Sequence, residues 1–433
     1  MEQLLAQAKK AAEEAEVFMV SSEKTPVQFE ANRLKHIQDK QSSYVALRII
    51  KEGKIGYATA TELSDRQNLV KTAVETANFG MAAEFELPSP TPYPDIEVLD
   101  PKVESVSVEE MIDLGKELIT AIRKHTPDIL CEAGVGKETT SLHLINSRGG
   151  NINYRQSAFS IGVIGYLIRN TDMLFVGEIE SSCHPLTETK AIAEEVLQQL
   201  ERARNRASVP TKPLPVVFTS HGVASALIPP LMAAFNGKTV LNGASPIGNK
   251  LGQLVFDKQL WLWDDPTIAY RPESRPSDDE GIPSQRTPLI EQGRVTNFLY
   301  DLQTAALAHT RSTGNGRRSQ GGLPAPSPSA FIIKPGNTTF DEMISDIKEG
   351  LVIEQLMGAE QGNILGGDFS GNVLLGYKVE NGKIVGRVKD TMVSGNVYQL
   401  LKQIAAIGSE AKWVGGLVNT PPLYCPHLSI AAK

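Results

Sequence analysis

Histidine is the residue type on which a metal-dependent hydrolase would depend, and this 433-residue chain has seven widely separated histidines. They are His36, His125, His143, His184, His221, His309 and His427. A zinc hydrolase commonly places two histidines one turn apart on a helix, beside a glutamate that activates the bound water. A shared metal here would need ligands from distant parts of the chain. The sequence therefore predicts no metal ligands and no cofactor in this chain.

Two of the three cysteines have a histidine close by and are the candidates for thiol chemistry. Cys183 precedes His184, and Cys425 lies two residues before His427. A thiolate is the nucleophile, and a nearby imidazole lowers its pKa. Neighbouring strand residues point to opposite faces, however, so we interpret these cysteines as small buried or loop thiols. The absence of CxxC spacing in the sequence indicates a reducing compartment rather than a disulfide framework.

Two glycine-containing stretches resemble parts of nucleotide-binding loops, but each lacks a required glycine. The triplet Gly237-Lys238-Thr239 would need a glycine where Met232 stands. The triplet Gly314-Asn315-Gly316 continues to Ser319, where a dinucleotide fingerprint requires glycine. Neither stretch predicts a nucleotide site.

The segment 310–336, TRSTGNGRRSQGGLPAPSPSAFIIKPG, is the most informative loop in the sequence. Its glycines allow close approach to an extended ligand, and its amides could pair with a peptide strand. A mobile linker is the alternative interpretation. Because the part from 310 to 323 contains few apolar anchors, we expect it to be mobile without ligand.

In the first half, sequence periodicity predicts helices and strands together. Residues 45–49 alternate before a Glu52-Gly53 turn, which indicates a hairpin. Ser107 and Glu110 have the spacing of a capping box and predict a core-facing helix. Another helix is predicted over 187–206. This half is interpreted as a mixed α/β domain, residues 1–207.

A proline-bearing linker, 208–215, precedes a second predicted domain at 216–433. Frequent glycine and turn signals there favour a mainly antiparallel β domain with a few helices. The Asn381-Gly382 pair predicts a tight hairpin turn. One helix is predicted from a capping box at Thr339 to a stop at Gly350, and another over 397–407. The expected fold class is thus α+β with two domains.

Charge and hydropathy exclude two kinds of partner. The formal net charge is −7, and no dense basic stripe is present, so we expect no direct nucleic-acid contact. No stretch of about 18 apolar residues predicts a membrane span. The N-terminal residues MEQLLAQAKKAAEEAE form an amphipathic charged pattern rather than a secretion signal. We expect a soluble protein.

Several motifs, taken in order, resemble the TldD/PmbA family of peptidase-related proteins, also known as modulators of DNA gyrase. In the second half these are DDEG at 278–281, LIEQGRVTNFLYD at 289–301, STGNGRR at 312–318 with LPAP and KPG after it, GDFSG at 367–371, GYKVENGKIV at 376–385 and MVSGNVYQLLKQI at 392–404. VALRIIKEGKIGYATATELS and HLINSRGG in the first half are similar to the family pattern. The resemblance covers nearly the whole chain.

The family resemblance implies a cytoplasmic assembly that cleaves unfolded peptides, in which a TldD-type subunit carries zinc and a TldE (PmbA)-type subunit does not. A TldD-type chain would carry HExxxH on the helix after the first strand of the second domain. Here that segment reads SHGVASALIPPLMAAFNG, and residues 228–233 contain no good zinc ligand. His221 alone cannot replace the motif. The cysteine ligand expected near 411–422 is also missing, since Cys425 comes later.

The resemblance therefore implies the TldE-type, non-catalytic subunit of a metallopeptidase assembly, paired with a TldD-type zinc subunit or with itself. Such a chain would form a wall of the cavity that holds unfolded peptides. The candidate substrate-binding residues are Ser312, Thr313, Gly314, Asn315, Gly316, Arg317, Asp368, Phe369 and Ser370. Two alternatives stay open: a self-sufficient hydrolase that uses a cysteine or an unusual metal site, and a peptide-binding regulatory module without proteolysis.

Overall fold

One seven-stranded antiparallel sheet forms the N-terminal half of the computed structural model, which describes residues 1–170, 172–319 and 322–432. Its strands are β1 (Glu14–Glu30), β2 (Arg33–Ile37), β3 (Lys40–Lys51), β4 (Lys54–Ala60), β5 (Leu130–Asn146), β6 (Asn151–Arg169) and β7 (Asp172–Ser182). Their order is β4-β3-β1-β5-β6-β7, and β2 pairs with β1. The alternating burial of these strands follows from the two-residue repeat of a pleated sheet.

Five helices cover this sheet: α1 (Glu2–Ala8), α2 (Arg66–Ala77), α3 (Lys102–Ser105), α4 (Val108–His125) and α5 (Lys190–Arg202). α1 and α2 share one apolar cluster with β1, β3 and β4. α4 and α5 share another with β1, β5, β6 and β7. The long apolar stripes of α4 and α5 account for this packing, because residues three and four positions apart lie on one helix face.

The C-terminal half contains many shorter strands. They are β8 (Arg206–Ala207), β9 (Leu214–Phe218), β10 (Leu262–Asp264), β11 (Thr287–Glu291), β12 (Arg294–Val295), β13 (Gly316–Arg317), β14 (Ala325–Pro326), β15 (Phe331–Ile333), β16 (Glu349–Met357), β17 (Asp368–Glu380), β18 (Lys383–Val388), β19 (Thr391–Asn396), β20 (Ala406–Ile407), β21 (Lys412–Val414), β22 (Val418–Thr420) and β23 (Leu423–Ala432). The largest sheet has the order β16-β9-β23-β19-β17-β18-β8, with β20 paired to β23. A further pairing of β16 with β17 closes this sheet on itself.

A second C-terminal sheet has the order β12-β11-β10-β15-β22-β21, and β13 pairs with β14. The helices of this half are α6 (Ser220–Gly222), a π-helix (Val223–Leu227), α7 (Ile228–Phe235), α8 (Gly237–Leu241), α9 (Leu302–Leu307), α10 (Phe340–Ser345), a 3-10 turn (Ala359–Gln361) and α11 (Val397–Leu400). Most strand pairs are antiparallel. The α+β fold class predicted from the sequence is confirmed.

Local sequence signals predict the starts of helices and one tight turn correctly, but they misplace the ends of two helices. The capping boxes at Ser107 and Thr339 are both present, and the Asn381-Gly382 turn has positive φ at both residues. The predicted stop at Gly350 is wrong, because α10 ends at Ser345 and Gly350 lies in β16. The helix predicted over 397–407 is also wrong beyond its first turn, since β20 follows α11.

The two halves share one hydrophobic cluster. Apolar residues of α4, α5 and β6 pack with Met343, Leu375 and Tyr377 of the C-terminal half. The predicted linker 208–215 overlaps the start of β9, and both β8 and β9 belong to the closed C-terminal sheet. The position of the domain boundary stays a prediction.

Candidate functional site

The predicted peptide-facing segment 312–317 is held by buried polar contacts. The Tyr300 amide donates to Thr313 Oγ1 at 2.8 Å, and this hydroxyl lies 2.7 Å from Asn315 Oδ1. Asn315 is 1% exposed and donates to Asp264 Oδ2 at 2.7 Å. The polar groups of these side chains are therefore hydrogen-bonded to other residues of the chain. A peptide would reach them only after local opening of the structure.

The remaining residues of this segment differ in exposure. Gly316 is buried, and its amide donates to Asp278 Oδ2 at 2.9 Å. Ser312 and Arg317 are half-buried, and Arg317 Nη2 donates to Glu273 at 2.8 Å. Of the six predicted residues in 312–317, these two present side-chain surface to solvent.

The mobility of residues 310–323 without ligand stays a prediction, although the part from 313 to 318 is anchored within the chain. Its anchors are buried hydrogen bonds rather than apolar side chains, so a count of apolar residues could not reveal them. Gln320 and Gly321, which belong to the same predicted segment, lie outside the described residues.

Next to this segment, a buried cluster of ion pairs joins the two halves of the chain. Arg48 Nη1 donates to Glu280 at 2.5 Å, and Arg48 Nη2 donates to Glu16 at 3.1 Å. Arg318 also forms a short ion pair with Glu16, and its amide donates to Asp279 at 2.8 Å. Buried charges persist only when paired, and the two arginines and two glutamates of this cluster each have an ionic partner, although Arg48 Nε has no hydrogen-bond partner among the described residues.

Burial raises the pKa values of several carboxyl groups around this cluster. Asp278 has a pKa well above its usual range because of burial and the nearby Glu280 charge. Burial raises the pKa of Asp264 to about 6. The pKa of Asp301 is likewise raised to about 6, first by burial and then by Glu280. Perturbed acids often accompany functional sites, but structural ion networks produce the same shifts.

The second predicted segment, 368–370, lies at the start of β17. Asp368 and Ser370 are exposed, whereas Phe369 is 3% exposed and packs edge-on against Phe218 with ring centroids 6.4 Å apart. Asn396 donates to Asp368 at 2.8 Å. Within the described residues, no hydrogen bond or ion pair joins this segment to 312–317. The two predicted segments, 312–317 and 368–370, therefore belong to separate hydrogen-bonding networks.

The segment where a TldD-type chain would carry its metal motif is helical but irregular. Thr219 caps α6, the π-helix follows, and α7 begins at Ile228 with Pro229 and Pro230 in its first turn. Proline is tolerated there because the first amides of a helix have no intrahelical partner. Ile228, Leu231 and most of α7 face the core.

A cavity of about 560 Å³, which we call the interdomain cavity, opens beside the start of α6. It lies between the two halves of the chain. One wall comes from α5, and the others come from α6, the start of α10, β16 and residues 408–412. β21 packs against α6, and β22 packs against the π-helix. The two segments expected to carry metal ligands in a TldD-type chain are thus neighbours at this cavity.

Three carboxylates at or beside the cavity are each paired with a cationic side chain. His221 Nε2 lies 2.9 Å from Glu178, and Arg202 Nη1 lies 3.4 Å from Glu354. Lys412 forms a short ion pair with Glu195. Each pair joins the N-terminal half to the C-terminal half.

Burial and neighbouring charges shift the pKa values of His221 and Glu354. Burial disfavours a charged imidazole, but the hydrogen bond and charge of Glu178 outweigh it and raise the pKa of His221. Burial raises the pKa of Glu354, which is 2% exposed, although Arg202 and His221 oppose the shift. The Thr219 hydroxyl donates to Glu354 at 3.0 Å. Glu178 therefore favours the charged form of the His221 imidazole, which lies beside the buried Glu354 carboxyl.

The residues at this cavity do not fit a zinc ion. Throughout the described ranges, no group of three or more His, Cys, Asp or Glu side chains is placed to hold a metal. Cys425 lies on β23 opposite Val216 of β9, within the core, and burial raises its pKa to about 12. Zinc binds thiolates, neutral imidazoles and free carboxylates, whereas His221 and its neighbours are engaged in ion pairs.

Sequence reasoning named His221 but missed the other cavity residues. Arg202 and Glu354 lie on elements more than 150 positions apart, so no local spacing connects them. One signal was present: Glu354 interrupts the apolar run LVIEQLM of β16. A charged residue inside a buried strand is rarely without a partner.

The chain belongs to the PmbA/TldD family of metallopeptidase-type proteins. Residues 211–432, a little more than half of the chain, match the PmbA/TldA metallopeptidase C-terminal domain, and residues 15–77 match domain 1 of that family. No helix in the described part of the chain is long and apolar enough to cross a membrane.

Relatives of similar length agree with this assignment. An uncharacterised protein of Methanocaldococcus jannaschii is 28% identical over 413 residues, or 93% of each chain. A protein of Archaeoglobus fulgidus named metalloprotease is 24% identical over 92% of this chain and 95% of its own. The crystal structure of TldE from Thermococcus kodakarensis is similar with a TM-score of 0.90, at 22% identity over the full length of both chains. At this low sequence identity, the similarity to the TldE structure shows a shared fold alone.

Proposed function

We propose that this chain is the non-catalytic, TldE-type subunit of a cytoplasmic TldD/TldE-like peptidase assembly. It pairs with a TldD-type zinc subunit or with a second copy of itself. In that assembly it stabilises its partner and forms one wall of the cavity that receives unfolded peptides. Ser312, Arg317, Asp368 and Ser370 are the solvent-accessible members of the candidate substrate-binding set that support a peptide-facing role.

The ion pairing at the interdomain cavity is the observation that carries this proposal. The carboxylates Glu195 and Glu354 are paired with the cations Lys412 and Arg202, and Glu178 is hydrogen-bonded to His221. A dication would have to displace those cations, since a metal centre needs anionic or neutral ligands that are free to bind. The geometry therefore favours a structural or substrate-contacting subunit over a zinc peptidase.

Metal analysis is the first test of this proposal. Purified protein dialysed against a weak chelator should contain far less than one zinc per chain. Specific zinc sites bind much more tightly than adventitious ions and would survive the dialysis. One retained zinc per chain would overturn the non-catalytic assignment.

The activity test compares four samples: this chain alone, a TldD-type partner from the same organism alone, their mixture, and the mixture with the partner's motif glutamate changed to glutamine. Only the unmodified mixture should cleave an unfolded peptide at the full rate, because only the partner supplies a metal-activated water. If the partner alone matches the mixture in rate and products, this chain is not a required subunit.

A cysteine hydrolase is the second candidate, and the environment of the thiols argues against it. Cys131, Cys183 and Cys425 are all fully buried, and burial raises their pKa values to about 11, 11 and 12. His184 is engaged with Asp100 at 2.7 Å rather than with a thiol. Peptidase activity of this chain alone that disappears in C183A or C425A would restore this candidate.

A further inference from the structure

The interdomain cavity has more acidic than basic groups. Its lining contains four carboxylates, against two cations that are charged at all physiological pH values. They are Glu195, Asp341, Glu354 and Glu410, with Arg202 and Lys412. His221 is balanced by Glu178 and leaves this excess unchanged. A ligand that enters should therefore carry positive charge.

The excess negative charge lies at the mouth of the cavity. Asp341 and Glu410 are exposed, and neither has an ion-pair partner in the part of the chain that the structure describes. Clefts lined by one sign of charge attract ligands of the opposite sign. The mouth would thus draw in a cation and repel a carboxylate.

The inner end of the cavity offers hydrogen-bond acceptors. The Glu354 carboxylate receives one bond from Thr219 and one from Arg202, whereas an ionised carboxylate has about four acceptor positions. Ser220 and Ser409 add hydroxyl groups to the lining. A primary ammonium has three N–H donors and matches such a set.

A buried hydroxyl on a residue close to Arg202 lacks a partner. The ring of Tyr377 lies 5.9 Å from the guanidinium carbon of Arg202, and the Tyr377 side chain is fully buried. Its hydroxyl has no hydrogen-bond partner among the described residues. Buried polar groups are nearly always hydrogen-bonded, so the Tyr377 hydroxyl is an unmet polar group beyond Arg202, although Tyr377 does not line the cavity.

We propose that the interdomain cavity binds a primary ammonium group, carried by a peptide's amino terminus or by a lysine side chain. This inference rests on the proposed function for its choice of peptide as the carrier. The ammonium lies near Glu354, with Asp341 and Glu410 at the entrance and the Phe340 ring as an apolar wall. The cavity volume of about 560 Å³ accommodates the end of a peptide.

Calorimetric titration of this chain alone with three short peptides tests the proposal. The probes are Ala-Ala-Ala, N-acetyl-Ala-Ala-Ala and N-acetyl-Ala-Lys-Ala-amide. The first should bind, and the second should bind about tenfold more weakly or not at all, because acetylation removes the charge. The third distinguishes the sources: binding as tight as the first indicates any primary ammonium, and its loss indicates the amino terminus.

Variants locate the binding. E354Q should weaken the binding of Ala-Ala-Ala by about tenfold or more. D341N combined with E410Q should weaken that binding severalfold and reduce its dependence on salt concentration. E360Q is the matched control, because Glu360 is exposed outside the cavity and its replacement removes one negative charge, as E354Q does. If E354Q fails to fold, the variant with D341N and E410Q tests the proposal alone, since Asp341 and Glu410 are exposed.

Equal affinity for the acetylated and free peptides overturns the proposal. So does an absence of binding at about 10 mM peptide, or unchanged binding in the mouth variants. These results leave the proposed function intact, because that is judged by cleavage in the mixture with a partner. Conversely, binding by this chain without partner-dependent cleavage would retain the ammonium site and reject the peptidase subunit.

Discussion

Arg48 and Glu280 lie 232 positions apart in the sequence and form a buried hydrogen-bonded ion pair of 2.5 Å. Their side chains are 3% and 1% exposed. Arg48 belongs to β3 and Glu280 to the loop before β11, so this contact fixes the N-terminal sheet against the C-terminal half. The guanidinium also serves Glu16, which makes one arginine the shared partner of two carboxylates.

Replacing Arg48 by alanine should strongly destabilise the protein. Glu280 would remain buried without a cation while Glu16 would keep only Arg318, and breaking a buried pair in this way costs about 3–5 kcal/mol. Urea unfolding followed by circular dichroism would measure the loss. K71A is the control, because the Lys71–Glu75 pair is largely exposed and should contribute little. A similar small effect for R48A would mean that the cluster is hydrated.

Gly316 should not tolerate a side chain. An added Cβ would lie 2.6 Å from Glu280 Oε2, and that carboxylate is held by Arg48 and by the Leu302 amide. Such overpacking costs about 1–3 kcal/mol, so G316A should unfold at lower urea. A Cβ added at Gly134 of β5 would meet nothing within 4 Å, and G134A should match or slightly exceed wild type. Equal stability of the two variants would contradict this expectation.

The sequence predicts the beginnings of elements better than their ends. Capping boxes depend on residues three positions apart, so Ser107 and Thr339 could be recognised locally. The spacing of Val397, Ile404 and Ile407 indicated a helix, but all three are buried in a segment that leaves the helix after one turn. Apolar periodicity reports burial, and tertiary packing supplied that burial without helical backbone.

The candidate sites were harder to predict because their partners are distant in sequence. The glycines of 312–317 suggested an open ligand loop, yet the Gly316 amide is bound by Asp278 and the neighbouring Arg318 amide by Asp279. At the cavity, Glu354 interrupts an apolar run of β16, as Glu16 and Arg48 interrupt apolar runs of β1 and β3. Charged residues within such strands were the available signal for buried ion pairs.

The His221–Glu178 pair should stabilise the fold more at acidic than at alkaline pH. The pKa of His221 is raised in the folded state above 6.5, so its contribution is fully present below that value and is lost as pH rises through the folded pKa. The difference in melting temperature between wild type and H221Q should therefore shrink from about pH 6 to about pH 9. H36Q, which changes an exposed histidine of β2, should follow wild type throughout. A constant or growing difference for H221Q would contradict the assigned direction.

The amides of Gly316 and Arg318 should exchange slowly with solvent deuterium, although the surrounding sequence predicts a mobile segment. Each donates to a buried carboxylate, Asp278 at 2.9 Å and Asp279 at 2.8 Å, and exchange requires these bonds to open. Their protection should approach that of core strand amides in a residue-resolved measurement, whereas the exposed Arg311 supplies a fast reference in the same segment. Changing Asp278 to alanine should accelerate exchange at Gly316 more than at Arg318, because only the Gly316 amide loses its acceptor of these two. Exchange of Gly316 and Arg318 as fast as Arg311 would show that the segment is open in solution, and it would return 312–317 to the role of an adaptable peptide-binding loop.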